Sequence, residues 1–322
     1  MKKHFGFMQR SARWFVIGVF GLLISSALVF ALQDRGANPR GDFWGGVRQE
    51  VPGYTSSASA GHDVLIHNGG QNWREIRNGL IAGLSPWILA GVFAVIMLFF
   101  LIVGQDKLEE PRTGMRIARF SMTERVLHWV TALVFILLAL TGTSNLFGRA
   151  VLIPVFGQAP FAAYMQWALW IHNVSGPLFL AGLLLEFIVW VKDNIPKKMD
   201  IVWFRNMGGM VGRGPRPHAG KINGGEKAWY WVMTLAGIVV GFTGVILDFP
   251  IWGQSRETMQ ISHAIHAAVG LLFVAASFGH IYIGTIGAEG TFEGMWRGSV
   301  DASWAKQHED LWYERKMNEK KA

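Results

Sequence analysis

Four histidines lie inside long apolar stretches of this sequence, where a polar side chain is costly unless it has a partner. They are His128, His172, His266 and His280. Neutral imidazole is a common ligand of metal ions and of haem iron. A single buried histidine more often forms a hydrogen bond to a neighbouring helix, so the interpretation depends on how the four are arranged.

Six apolar blocks are long enough to cross the roughly 30 Å hydrocarbon core of a bilayer. Apolar residues make up 51% of the 322 residues and charged residues 16%, which disfavours a soluble globular protein. We therefore expect an all-α integral membrane helical bundle. The blocks are Trp14–Leu32, Leu84–Val103, Val126–Thr143, Trp167–Val191, Ala228–Leu247 and Ile261–Ile286.

Lysine and arginine are unevenly distributed among the loops, and short loops rich in these residues stay in the cytoplasm. The segment after Val103, the loop 192–227 and the C-terminal tail are basic, whereas the opposite short loops between the later blocks carry only Arg149 and Arg256. We expect a multi-pass protein of the bacterial cytoplasmic (inner) membrane with a cytoplasmic C-terminus. The net charge of +8 is thus a topology signal, and we expect no nucleic acid partner.

The N-terminal third precedes the histidine-bearing region. Residues 1–32 have a basic start and end in small residues, as in a signal peptide, although an uncleaved transmembrane segment is the alternative. Residues 33–83 are expected to form a periplasmic segment, and residues 84–105 an additional transmembrane helix. One or two membrane segments therefore precede a four-helix core at 122–290 and a cytoplasmic tail at 291–322.

Topology places the four histidines at two depths in the membrane. His128 lies near the cytoplasmic start of its helix and His172 near the periplasmic start of the next, while the last block carries both His266 and His280. The 14 positions between the last two correspond to about 21 Å of rise and leave the imidazoles within roughly 40° of each other. His172 with His266, and His128 with His280, are therefore expected to hold two b-type haems.

Two glycines support this interpretation. Gly176 and Gly270 each follow a histidine by four residues, so a flat macrocycle could lie close to the backbone there; ordinary packing of small residues between helices is the alternative. His263 points about 100° away from His280 on the same helix and is interpreted as structural or interfacial. The absence of cysteine excludes covalently attached c-type haem and thiolate-ligated iron–sulfur clusters.

Two further features are candidates for chemistry. Asn223 and Gly225 precede a helix expected to begin near Lys227, where free N–H groups and an amide could bind a quinone carbonyl, although these residues alone favour an ordinary turn. Glu186 lies inside the fourth apolar block. It is a candidate for a proton route, and pairing with Lys192 or a neighbouring helix is the alternative.

Five motifs lie between about Met122 and Glu314, and together they are specific. They are Glu124–Trp129, Lys221–Lys227, Ile265–Gly270, His280–Tyr282 and Trp304–His308. With these motifs the chain resembles the gamma (cytochrome b) subunit of membrane-bound respiratory formate dehydrogenase. The resemblance implies the same two histidine pairs as haem ligands, a quinone site near Asn223, Gly225 and His280, and two partners, an iron–sulfur beta subunit and a catalytic alpha subunit. The chain departs from this family in carrying residues 1–117 and in having Glu226 where an amide is familiar.

The resemblance implies electron transfer from a periplasmic iron–sulfur partner through two b-type haems to quinone at the cytoplasmic side. Formate oxidation would then occur in a partner subunit, and no catalytic residue for it is expected in this chain. A cytochrome b subunit of a membrane-bound hydrogenase or related oxidoreductase is the nearest alternative. A proton-coupled transporter without haem, using the buried histidines and Glu186, is an alternative of another class.

Overall fold

The computed structural model of the chain describes residues 68–210 and 216–321, and these are predominantly helical. The predicted segment 1–32 and residues 33–67 of the predicted segment 33–83 lie outside the described residues. Two short strands, β1 (Arg116–Ala118) and β2 (Ser299–Asp301), pair with each other. The helices are α1 (Asn68–Arg74), α2 (Ala82–Val103), α3 (Met122–Val151), α4 (Ile153–Phe156), α5 (Gln158–Trp190), α6 (Lys198–Arg205), α7 (Gly224–Asp248), α8 (Arg256–Tyr282), α9 (Thr291–Arg297), α10 (Ala302–His308) and α11 (Asp310–Lys321).

Within the described ranges, five helical segments are long and apolar enough to cross a membrane, and they coincide with five of the six apolar blocks. Large apolar side chains are exposed on their outer faces, as lipid contact requires; Leu101 is 72% exposed and Ile188 67%. The expected membrane helical bundle is confirmed. The segments are Gly70–Val103, Met122–Val151, Gln158–Trp190, Gly224–Asp248 and Arg256–Gly287.

The first of these segments begins earlier than its apolar block. The helix starts at Asn68 rather than near Leu84, because α1 continues through a π-helical turn, Glu75–Ile81, directly into α2. The polar residues of this stretch lower its hydropathy below that of a predicted membrane segment, but they do not prevent helix formation. Residues 68–83, expected as part of a periplasmic segment, are therefore almost wholly a helical extension of the membrane segment.

Hydrogen-bonded caps fix where three of the long helices begin. Ser121 accepts a hydrogen bond from the backbone of Glu124 at 3.3 Å, and the Glu124 carboxylate accepts one from the Ser121 backbone at 2.7 Å, which fixes the start of α3. Asn223 and Glu226 form the same reciprocal cap, so α7 begins at Gly224, three residues before the expected Lys227. Ser255 caps α8.

The membrane core consists of α3, α5, α7 and α8, with α2 packed against the outside of α8. Phe179, Leu183 and Phe273 are almost fully buried at the centre of these four helices. Glycines permit close helix contact at this level: a Cβ on Gly237 would lie 2.6 Å from a Leu183 methyl group. The four histidine-bearing positions are thus held by a packed scaffold.

The C-terminal residues fold back onto the segment that precedes α3. β1 and β2 are antiparallel with Ile117 opposite Val300, and both of these residues are buried. Trp304 and Trp312 pack into the same small apolar cluster, each 2% exposed. The region predicted as a tail therefore forms a folded cap on the end of the bundle nearest His128.

Candidate functional site

The four membrane histidines form two pairs, and the ring planes within each pair are inclined by 73° and 72°. The ring centroids of His172 and His266 are 6.0 Å apart, and those of His128 and His280 are 6.2 Å apart. Helix α8 contributes one histidine to each pair, while α3 and α5 contribute the others. The structure therefore brings together the same residues that the depth argument pairs.

The spacing of the rings fits a metal ion held between them. Two imidazoles on opposite sides of one ion have centroids about 6 Å apart, because each metal–nitrogen bond is about 2 Å and each centroid lies about 1 Å beyond its nitrogen. Two imidazole ligands on one axis are also a donor set that suits haem iron. Both pairs fit this geometry.

Hydrogen bonds set the tautomer of the His172/His266 pair. Nδ1 of His266 lies 3.0 Å from the carbonyl oxygen of Val240, which can only accept, so Nδ1 carries the proton. Nδ1 of His172 lies 2.9 Å from the Thr141 hydroxyl, which itself donates to the Leu137 carbonyl at 2.7 Å. The remaining nitrogen of each neutral ring, Nε2, keeps the lone pair that a metal requires.

Four glycines shape the space around this pair. A Cβ on Gly142 would lie 3.0 Å from a carbon of the His172 ring, and one on Gly244 would lie 3.2 Å from the corresponding carbon of His266. A Cβ on Gly176 or Gly270 would meet no described atom within 4 Å. All four glycines line one cavity of about 270 Å³, so the two predicted glycines do face open space between the helices.

His172 and His266 have matching surroundings, which were not predicted from the sequence. Thr141-Gly142 on α3 faces His172 on α5, and Thr243-Gly244 on α7 faces His266 on α8, with Thr243 3.2 Å from Nδ1. Each of these histidines is followed four residues later by glycine. A Thr-Gly pair in two membrane helices and His-x-x-x-Gly in the other two is the signal that could have revealed it.

Aromatic rings, rather than hydroxyl groups, surround the other pair. His280 stacks on Trp229 with centroids 4.5 Å apart and planes within 8°. His128 has its ring edge against Trp129, whose indole nitrogen donates to the Met295 carbonyl at 3.3 Å. The His128/His280 level is therefore linked to α9 at the capped end of the bundle.

Three phenylalanines separate the two histidine levels. Phe273 is seven residues from both His266 and His280, so it occupies the same face of α8 midway between them. Its ring lies 4.7 Å from Phe135 and 6.1 Å from Phe179 by centroids. This layer keeps the space between the levels apolar, which lowers the local dielectric constant.

The structure gives Asn223 and Gly225 packing roles. The Asn223 carboxamide oxygen accepts from the Glu226 backbone at 3.1 Å and so caps α7. A Cβ on Gly225 would lie 2.6 Å from the ring of Trp203, a residue of α6 that the sequence analysis did not single out. Trp229, six residues after Asn223, stacks on His280, so the first turns of α7 adjoin that imidazole.

Glu226, where the sequence departs from the family it resembles, is partly exposed and contacts the buried residues Arg119 and Glu309 in a charge cluster. Arg119 donates to both Glu226 oxygens at 2.8 Å, and it also donates to Glu309. Burial raises the pKa of Glu309 well above its usual value, with Arg119 opposing and Glu226 adding to the increase. The fully buried Glu309 therefore holds its proton more tightly than a solvated glutamate does.

Glu186 is buried among other unpaired polar groups rather than at the surface. It is 2% exposed, and its Oε1 has no hydrogen-bond partner among the described residues. The hydroxyl groups of Thr131 on α3 and Thr234 on α7 are likewise buried and unpaired. The described ion pairs do not join Glu186 to Lys192, which is exposed.

His263 also lines the cavity that contains His172 and His266, although the sequence suggested only a structural or interfacial role. Its Nδ1 is buried without a hydrogen-bond partner in the part of the chain that the structure describes. The edge of its ring contacts Trp73 of α1, with centroids 5.6 Å apart. It therefore stands beside the paired rings without belonging to either pair.

Comparisons with known proteins identify the family that this chain resembles. A family model described as prokaryotic cytochrome b561 matches residues 119–298. The nitrate-inducible formate dehydrogenase cytochrome b556(Fdn) subunit of Escherichia coli K12 is 31% identical over 202 residues, which cover 61% of this chain and 90% of that protein.

Two other relatives are similar over the same extent. The formate dehydrogenase cytochrome b556(fdo) subunit of Escherichia coli K12 is 29% identical over 64% of this chain and 97% of its own length. The formate dehydrogenase cytochrome b556 subunit of Haemophilus influenzae Rd is 29% identical over 62% of this chain and 82% of its own length.

Proposed function

We propose that this chain carries electrons through two b-type haems to quinone. The chain belongs to the formate dehydrogenase cytochrome b subunits, within the prokaryotic cytochrome b561 family. The observation that carries this proposal is the pairing of four imidazoles at two levels of one membrane bundle, with centroids 6.0 and 6.2 Å apart. Haem supplies the one-electron chemistry when it is bound. The chain supplies its ligands and an apolar surrounding.

His172 and His266 would ligate one haem, and His128 and His280 the other. The protonated Nδ1 atoms of His172 and His266 leave Nε2 as the nitrogen of each ring that would bind iron. Gly176 and Gly270 leave room for the macrocycle between the helices. Residues 122–290 would thus be the dihaem core of the subunit.

The partners follow from the names of the relatives. An iron–sulfur beta subunit would deliver electrons, and a catalytic alpha subunit would oxidise formate, so this chain has no part in the formate chemistry itself. Positive charge in the loops supports an orientation in a bacterial inner membrane with the His172/His266 level toward the periplasm. The folded C-terminal cap and the first turns of α7 would then face the cytoplasm.

Quinone would be reduced beside His280, at the cytoplasmic end of the bundle. Asn223 and Gly225 lie at the start of α7, whose Trp229 stacks on His280. The Asn223 carboxamide nitrogen is a hydrogen-bond donor that the helix cap does not use, and it would serve the quinone carbonyl.

Protons for quinone would come from the same side, and Glu186 is the proposed intramembrane residue of their route. Thr131 follows His128 by three residues on α3, and its hydroxyl packs over Gly182, one turn before Glu186. Unpaired buried polar groups on three neighbouring helices are the kind of site that holds ordered water. Such water could pass a proton along the cluster.

Haem content after single substitutions tests the proposal. Wild-type protein should contain two b-type haems per chain by the pyridine haemochrome assay. His172→Ala or His266→Ala should remove one haem, and His128→Ala or His280→Ala the other. His218→Ala, at an exposed histidine outside the membrane segments, is the control and should retain both. A wild-type content of one haem or none would reject the proposal.

Two alternatives remain distinguishable by experiment. A hydrogenase or related oxidoreductase partner would be identified by co-purification of subunits in place of the formate dehydrogenase pair. A transporter without haem would use the same buried polar residues for proton coupling, and it would purify gently without a haem absorption spectrum.

A further inference from the structure

The cavity that contains His172 and His266 also contains a cation with no role in the proposed function. Arg77 lies in the π-helical turn Glu75–Ile81, is partly buried and lines this cavity. Its guanidinium donates to the Asn78 carboxamide at 2.8 Å and to the Asn145 carbonyl at 3.4 Å. Both acceptors are uncharged.

No protein carboxylate neutralises Arg77 among the described residues. Its neighbour Glu75 accepts a hydrogen bond from Gln71 at 2.8 Å. Asp248 lines the cavity, but the described ion pairs do not include a bond between it and Arg77. An arginine facing a partly apolar cavity inside the membrane is costly without an anion to pair with.

His263 adds a second nitrogen to the same wall. It precedes His266 by three residues on α8, and its buried Nδ1 has no hydrogen-bond partner within the described ranges. Trp73 of α1 holds the ring at its edge. A guanidinium and an unpaired imidazole nitrogen thus face one cavity from two elements, α8 and the helical segment before α2.

We propose that Arg77 and His263 bind a propionate carboxylate of the haem held by His172 and His266. Haem carries two such carboxylates on one edge, and the planar guanidinium is the side chain best matched to a carboxylate. This inference rests on the proposed haem function. The propionate would be the anion that pairs with Arg77.

The proposed contact of Arg77 gives the membrane segment Gly70–Val103 a function in haem binding. The family match covers residues 119–298, so Arg77 and Trp73 lie outside it. The segment Gly70–Val103 would therefore complete the haem site as well as crossing the membrane. A cation beside the propionate stabilises the reduced haem, which carries one more negative charge than the oxidised haem.

Spectroscopic redox titration of membranes containing the assembled complex tests this role. Arg77→Gln should lower the midpoint potential of one haem, the one that His172→Ala removes, and leave the other unchanged. The expected change in the equilibrium constant for reduction is about tenfold, or about 59 mV for a one-electron couple. Arg77→Lys keeps the cation and should remain close to wild type.

Arg149→Gln is the matched control. Arg149 is an exposed arginine in the last turn of α3, so its loss changes the charge near this end of the bundle but not in the cavity. His263→Phe keeps the contact with Trp73 and should lower the same potential; it remains informative if Arg77→Gln does not assemble.

Three outcomes would overturn the inference. They are equal shifts in Arg77→Gln and Arg149→Gln, equal shifts in both haems, or no shift in either cavity variant. A wild-type complex that lacks the His172-dependent haem would overturn the proposed function and the inference together. If the His172-dependent haem is present but its midpoint potential is unchanged in Arg77→Gln and His263→Phe, only the inference is overturned.

Discussion

The hydroxyl oxygen of Thr141 lies 2.9 Å from Nδ1 of His172, and its own proton is directed to the Leu137 carbonyl 2.7 Å away. The hydroxyl therefore accepts from the imidazole. On the opposite side of the cavity, the Val240 carbonyl accepts from Nδ1 of His266 at 3.0 Å. Each imidazole is thus oriented by a hydrogen-bond acceptor on the helix that faces it, independently of haem.

Replacing Thr141 with valine should change the His172/His266 haem in a defined direction. Loss of the acceptor makes the imidazole less basic, which favours reduced iron, so the midpoint potential should rise and haem affinity should fall by roughly 10- to 100-fold. Redox titration and haem content measure the two effects. This shift is opposite in sign to that expected for Arg77→Gln.

Thr143→Val provides the control. The Thr143 hydroxyl donates only to backbone carbonyls of its own helix, including that of Ala139 at 2.7 Å. Its loss should leave both potentials unchanged. A similar shift in the two threonine variants would show that the effect comes from α3 as a whole and not from the bond to His172.

A graded pair of substitutions at Gly176 tests the space reserved for haem. A Cβ at this position meets no described atom within 4 Å, so Gly176→Ala should retain both haems. Gly176→Phe should exclude the His172/His266 haem because its ring would occupy the cavity, while the His128/His280 haem remains. Retention of two haems in Gly176→Phe would show that the macrocycle lies elsewhere.

Much of the architecture was predictable because its causes are local. Apolar length identifies membrane helices, and a Ser-x-x-Glu pattern such as Ser121–Glu124 is a local signal for a helix start. The histidine pairing followed from helix rise and alternating topology. In contrast, the helical start at Asn68 was missed because polar residues interrupt the apolar window that signals a membrane segment.

Contacts between distant segments could not be read from the sequence. Arg119 and Glu309 are 190 positions apart, and only the folded cap brings them together. The roles of Thr141 and Thr243 depend on which helices become neighbours. Arg77 reaches the cavity through a helical extension that appeared in the sequence as a polar segment.

Two substitutions separate the capping function of Asn223 from its proposed quinone-binding function. Serine also caps helices well, so Asn223→Ser should retain α7 while losing the carboxamide; Asn223→Ala loses both and should cost about 1 kcal/mol of stability. We expect both variants to retain two haems and to have impaired quinone reduction. Normal quinone kinetics in Asn223→Ser would remove the carboxamide from the site.

The cap around Arg119 should lose stability as the pH rises. Burial raises the pKa of Glu309 above its ordinary value of 4.5, so the folded state binds this proton more tightly than the unfolded state. The stabilisation is complete below about pH 4.5 and is lost as the pH approaches the raised value, at up to about 1.4 kcal/mol per pH unit. Thermal unfolding of the purified protein across this range measures it.

Glu309→Gln should flatten this dependence on pH because glutamine cannot ionise. Glu319→Gln is the control: Glu319 is exposed and pairs with Lys316, so its removal should leave the wild-type profile intact. A wild-type slope that persists in Glu309→Gln would assign the titration to another group.

The direction of electron transfer should be visible as a membrane potential. His266 and His280 are separated by about 21 Å along α8, most of a bilayer core of about 30 Å. In the proposed orientation, transfer from the first level to the second would move negative charge toward the cytoplasm. Reduction of quinone there would take up cytoplasmic protons, and both steps would make that side more negative. Sealed, uniformly oriented vesicles containing the complex should therefore develop a potential during formate-driven quinone reduction, and a protonophore should abolish it. Sustained turnover without a potential in demonstrably tight vesicles would show that electrons are delivered and removed on the same side.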